Sequence, residues 1–352
     1  MNKNRIFYLD AIKVFLSFMV VAHHAGQSYG DTGGAWLIFD EKKVNVLQHF
    51  FFINASYLMA LYFFISGYFT YSSIKNKTIN TFIKDRLIKL GLPLVIITFL
   101  IFLPLHFFSD NNSMNLLPFI CDLYFNKPPL AVGHLWFILS LLAYSILFVF
   151  IFKWFRFNDK RKKLSLFHPF VFVVIVSVSG YFIRLHFPID KWVTWIIPIE
   201  PAHLPLYLFS FYSGLLAYKN EWLQQFSWRF VFTYSGLLIL IMLLKNIHFF
   251  DFNLSLSNVI LESLICCSIS MTIITFFKSF ENNINAIMNN ISVNSYGIYL
   301  VHLFFVLLFQ YFLLGIDLSG FLKFILVTIL SFLSSWGFTY LLRKNRYVAT
   351  II

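Results

Sequence analysis

Two residues in the first apolar stretch are costly in oil and well suited to chemistry. Lys13 and His24 lie eleven positions apart in the run 8–29, which reads YLDAIKVFLSFMVVAHHAGQSY. On a helix turning about 100° per residue they fall roughly 20° from each other. Ser17 lies near the same line, and Gln27 and Ser28 flank its far end. A charged group near the centre of a bilayer costs a few kcal/mol, so the stripe marks a functional-site expectation. Imidazole changes charge near neutral pH and suits removal of a proton from an attacking hydroxyl. The lysine could hold an anionic group, or be neutralised by Asp10. The plainer alternative has Lys13 snorkelling to the membrane surface and His24 satisfying a packing hydrogen bond.

The elements that must position this stripe are membrane helices. The chain has 352 residues, of which 59% are hydrophobic and only 12% charged. Soluble domains carry about 25% charged residues, so the composition is that of an all-α polytopic membrane protein. A bundle of about ten spanning helices is expected at 9–29, 49–72, 88–108, 134–155, 168–187, 202–219, 229–247, 257–277, 295–315 and 320–342. A β-barrel would instead show ten-residue alternation. The net charge of +12 does not imply nucleic acid, because the basic residues cluster in short loops rather than on one aromatic-laced face. Lys75, Lys77, Lys84, Arg86 and Lys89 fill the second connection, and Lys153, Arg156 and 160–163 the fourth. The odd connections are neutral or slightly acidic, so the rule that positive loops face the cytoplasm predicts an N-in, C-in bundle. The basic start resembles a signal peptide, but its apolar run is too long and is read as a retained first helix. The Asn-rich stretch 281–294 is at most a short interfacial helix, and residues 1–352 form one membrane domain. Cys121, Cys266 and Cys267 have no metal-ligand spacing and make no disulfide framework. No metal is expected.

Several short segments carry a family resemblance. Tyr8-Leu9-Asp10-Ala11-Ile12-Lys13, with His24 beyond ten intervening residues, resembles the opening of the acyltransferase-3 family of membrane O-acyltransferases. Phe63 to Phe69, containing Ser66-Gly67, is similar to that family's Ser-Gly signature, and Arg86 to Pro93 to its basic entry to helix 3. Gly133-His134-Leu135-Trp136-Phe137 resembles the start of helix 4, and Val293 to His302 the late helix. The ordered set spans nearly the whole chain and resembles in particular the glucan-succinylating branch. It implies transfer of an acetyl or succinyl group from a cytoplasmic acyl-CoA to a carbohydrate or glycolipid hydroxyl outside. His24 would be the base or acyl relay. Acyl-CoA would be a substrate rather than a bound cofactor, and the setting a bacterial cytoplasmic membrane. Where the family shows an arginine this chain has Lys13, which keeps the charge but loses the bidentate fork.

Further residues become candidates within that frame. Arg86 and Lys89, with Asp10, could hold the donor at the inner entrance; positive-inside topology demands the same basic residues. His134, Arg184, His186, Glu200 and His203 fall near the outer ends of helices 4 to 6. Among them His134, Arg184 and His203 are expected to line an acceptor pocket. Ser66, Tyr296, Tyr299 and His302 would line the shaft between the two faces, and each has an ordinary packing role as its alternative. The His106–Asp110 spacing, familiar from soluble acyltransferases, is set aside because nothing else of those families is present. The rival function is a polysaccharide exporter or flippase that uses the same polar shaft for passage.

Overall fold

The computed structural model describes residues 6–31, 36–102, 116–122, 132–154, 161–194, 198–246, 254–280 and 286–352. Helix dominates, as expected of a chain whose backbone polar groups must be satisfied internally in lipid. The principal helices are α1 (Phe7–Gly26), α2 (Val46–Lys75) and α3, a composite of Ile79–Arg86, the π turn Leu87–Gly91, Leu92–Ile97 and a second π turn Thr98–Phe102. They continue as α4 (Trp136–Trp154), α5 (Phe167–Arg184), α6 (Leu204–Lys219), α7 (Trp228–Asn246), α8 (Leu254–Ser279), α9 (Ala286–Phe312) and α10 (Gly320–Leu342). Single 3-10 turns, Gly133–Leu135 and Pro201–His203, lead into α4 and α6. A two-residue antiparallel pairing of Val193–Thr194 with Pro198–Ile199 sits between α5 and α6.

Eight of the described helices are long and apolar enough to cross a membrane. Two of the ten expected spans do not reach that mark. α6 has 16 residues because Pro201 and Pro205 set its start late. The third expected span, 88–108, runs past the described residues. The Asn-rich stretch also departs from expectation: from Ala286 onward it is the first turns of α9, not a separate interfacial helix. Asn294 Nδ2 donates to the Asn290 carbonyl at 2.7 Å, and Trp336 Nε1 to Asn290 Oδ1 at 3.0 Å, so the polar side chains are absorbed by α9 and α10.

α1 packs against α2, α8, α9 and α10, which makes it the central helix of this half of the bundle. On the other side α2 and α6 meet backbone to backbone. A Cβ on Gly67 would stand 2.1 Å from the Phe211 carbonyl oxygen, and one on Gly214 would stand 1.9 Å from that of Phe64. Without a hydrophobic driving force between helices in lipid, such close approach of small residues is what holds the pair. Contacts of Lys13 with Phe69, of Arg86 with Thr70 and of Tyr296 with the Lys89 carbonyl place the starts of α1 and α3, the first half of α9 and the end of α2 at one end of the bundle. His24, His134, His203 and Glu262 lie at the other end.

Candidate active site

His24 stands in the last turn of α1, half-buried, where that helix faces α9. Its Nδ1 lies 2.7 Å from Gln27 Oε1. An amide oxygen only accepts, so Nδ1 carries the hydrogen and Nε2 keeps a lone pair. Trp36 stacks on the ring, with centroids 5.6 Å apart and planes 10° from parallel. Two further imidazoles converge: His302 at 5.2 Å and His134 at 6.2 Å, centroid to centroid, with 4.6 Å between those two.

A single carbonyl organises the second and third histidines. The Tyr299 oxygen accepts from His134 Nε2 at 2.9 Å and from His302 Nδ1 at 2.6 Å. In return the Tyr299 hydroxyl donates to the His134 carbonyl. This clamp ties the 3-10 turn before α4 to the middle of α9, and it fixes both tautomers. Among the described residues no group of three or more His, Cys, Asp or Glu is arranged to hold a metal ion.

The segment after α1 folds back over His24. Trp36 Nε1 donates to Gln310 Oε1 at 3.0 Å and to Ser28 Oγ at 3.2 Å. Gln310 Nε2 in turn donates to the carbonyls of His24 and Ala25 at 3.2 and 3.0 Å. The returning segment is pinned by a buried ion pair, Lys323 Nζ to Asp40 Oδ2 at 2.6 Å. Where it crosses α10, a Cβ on Gly320 would stand 1.9 Å from the Lys42 carbonyl oxygen. Trp36, Gln310, Asp40 and Lys323 were not among the residues singled out by sequence. Gln310 carries a weak signal as a buried amide in an apolar helix; Trp36 meets His24, and Asp40 meets Lys323, only through the tertiary fold.

Lys13 lies at the opposite end of the same helix. Its ammonium is 3.0 Å from Asp10 Oδ1 and 4.5 Å from the centre of the Phe69 ring. Above it Ser17 Oγ bonds to the Lys13 carbonyl at 2.8 Å and to the Tyr62 hydroxyl at 2.9 Å. The Tyr62 and Tyr299 rings are 6.4 Å apart, so polar side chains run from Lys13 to the histidine cluster. Arg86 Nη2 reaches Thr70 Oγ1 at 3.3 Å, with its guanidinium over Phe82 at 4.9 Å. Lys89 is exposed, while its carbonyl accepts from the Tyr296 hydroxyl at 2.7 Å. The Thr70 hydroxyl donates to the Ser66 carbonyl at 2.7 Å, one turn along α2. His106 and Asp110 lie outside the described residues.

Arg184 and His203 form a separate cluster. Arg184 pairs with Glu262, a carboxylate in the apolar run of α8, and donates Nε to the Ala202 carbonyl at 3.2 Å. His203 bridges two carboxylates, 3.0 Å from Glu262 Oε1 and 2.8 Å from Glu200 Oε2. Glu200 also accepts from the Asp190 backbone N–H at 2.8 Å. Burial alone would raise the Glu200 carboxyl, but the hydrogen bond and charge of His203 outweigh it and hold Glu200 below the usual carboxylate range. The hydrogen-bonding capacity of Arg184 and His203 is thus spent on a network that joins α5, α6 and α8. The structure brings His134 to His24, and leaves these two with Glu262.

An acyltransferase domain pattern matches residues 6–340, from the start of α1 to the last turn of α10. The chain belongs to the acyltransferase-3 family. Among the relatives of this acyltransferase-3 chain are the glucans biosynthesis protein C of Escherichia coli (strain K12) and that of Shigella dysenteriae serotype 1 (strain Sd197). Each is 26% identical over 189 residues, 51% of this chain and 49% of the relative. The chain spans about half the length of the curated relatives it matches. No solved structure matches it.

Proposed function

We propose that this acyltransferase-3 protein moves an acyl group of the acetyl or succinyl class from cytoplasmic acyl-CoA to a hydroxyl of a glycan or glycolipid outside. The observation that carries this reading is the His24 tautomer: Gln27 takes the Nδ1 hydrogen at 2.7 Å, which leaves the Nε2 lone pair as a base among buried imidazoles. The family and the printed name of its relatives, glucans biosynthesis protein C, supply the reaction and acceptor classes. The basic loops gather at the Lys13 end, which on the positive-inside rule faces the cytoplasm and makes the bundle N-in and C-in. Residues 1–352 act as one unit in a bacterial cytoplasmic membrane.

The chemistry follows from the two ends. A nucleotide-bearing donor cannot cross the bilayer, so its phosphates stay with the cationic group of Lys13, Arg86 and Lys89 while the thioester enters along Ser17 and Tyr62. His24 Nε2 takes the proton of the acceptor hydroxyl as its oxygen forms the new bond to the acyl carbon. The carbon–sulfur bond breaks, and the leaving thiolate recovers the proton from His24. Holding both reactants at one base replaces a bimolecular encounter by an oriented one, worth up to about 7–11 kcal/mol of barrier in favourable cases. Acyl-CoA is a substrate here, and no step calls on a bound cofactor.

The test is mass analysis of surface glycans from cells carrying the wild-type gene, a deletion, or His24→Ala. Loss of ester-sized masses in both mutants, with glycan export unchanged, supports acyl transfer by His24. Full acylation in His24→Ala would remove His24 from the chemistry. Loss of the glycan itself from the surface would support export instead.

A further inference from the structure

One atom beside His24 is not accounted for by packing. His302 is 0% exposed, and its Nδ1 hydrogen is spent on the Tyr299 carbonyl at 2.6 Å. Its Nε2 therefore carries a lone pair, and nothing among the described residues donates to it. Leaving a buried acceptor unmade costs about 1–3 kcal/mol. A cost of that size on the wall of a reactive cluster points to a donor brought in by a ligand. The His302 ring lies 5.2 Å from that of His24, which also keeps an Nε2 lone pair. Two imidazole lone pairs on neighbouring rings call for two donors, and one hydroxyl has a single proton. The thioester has none.

We infer that His302 Nε2 accepts a hydrogen bond from a second hydroxyl of the acceptor, next to the one that His24 deprotonates. The pair of histidines thereby selects a polyol, with adjacent hydroxyls, over an isolated alcohol. No bond is made or broken at His302; it reads the acceptor while His24 reacts with it. The Tyr299 clamp serves this reading by holding the His302 ring with Nδ1 occupied and Nε2 bare. The inference rests on the reading of His24 as the base.

The test separates the two nitrogens. In His302→Asn the amide N–H replaces Nδ1–H toward the Tyr299 carbonyl and Nε2 is deleted; in His302→Gln an amide oxygen stands near the Nε2 position. Both variants are compared with wild type and His24→Ala for surface-glycan ester content at matched protein level, and for thermal stability in detergent. We expect His302→Asn to lose about tenfold or more of the ester at unchanged stability. His302→Gln should keep ester content within about threefold of wild type. Wild-type ester content in His302→Asn overturns the inference, and so does an equal loss in both variants. If the Asn variant fails to accumulate, the Gln variant alone decides, by retention or loss. Full acylation in His24→Ala would overturn the assignment of the base instead, and is read separately.

Discussion

At the residue scale the site depends on which atoms are already occupied. Gln27 and Tyr299 each engage one imidazole hydrogen and so define where the lone pairs of His24 and His302 are. Gln310 acts one step back: it holds the last carbonyls of α1 and, through Trp36, the stacked face of His24. Gln310→Leu should lower acylation severalfold while the protein still accumulates, checked by ester content against immunoblot level. At Lys13 the ion pair with Asp10 and the contact with Phe69 need only a cation. Lys13→Arg should therefore retain activity and Lys13→Ala should lose it; equal acylation in all three proteins would remove Lys13 from the site. The Lys13–His24 stripe was legible from spacing alone. Trp36 and Gln310 were not, because they meet His24 from segments remote in sequence, and no single-helix periodicity encodes that meeting.

At the element scale two devices hold the helices in place. The first is the mutual glycine contact of α2 and α6, where the Ser66-Gly67 segment acquires a physical reason: there is no room for a Cβ. Gly67→Val should cost at least the 1–3 kcal/mol typical of overpacking and lower the unfolding temperature in detergent. The second is the network of Arg184, Glu262, His203 and Glu200. Removing one partner of a buried pair costs about 3–5 kcal/mol, so Glu262→Ala should be strongly destabilising, more than Glu200→Gln at the rim. The depressed Glu200 carboxyl sets a sign for pH dependence. Its contribution is fully present above the ordinary carboxylate value of about 4.3 and is lost as pH falls through its lower folded value. The stability gap between wild type and Glu200→Gln should therefore close on acidification below that range, read as thermal unfolding at stepped pH. Sequence placed Arg184 and His203 at helix ends but could not give them Glu262, which lies in an apolar run with no local sign of its partner.

At the scale of the whole molecule, hydropathy gave the all-helical membrane architecture, because lipid leaves a chain few ways to satisfy its backbone. Helix ends were less legible: the 3-10 entries to α4 and α6 and the extension of α9 back to Ala286 depend on tertiary contacts rather than on composition. The resulting bundle has a cationic end and a histidine end joined by Ser17, Tyr62 and Tyr299. On the proposed function, acyl groups enter at the first and leave at the second through His24. Sealed inside-out membrane vesicles, supplied externally with labelled acetyl- or succinyl-CoA, put this route to the test. Label should appear on glycan inside the vesicles with the wild-type protein and not with His24→Ala. Equal labelling with His24→Ala, or transfer only in right-side-out vesicles, would contradict it.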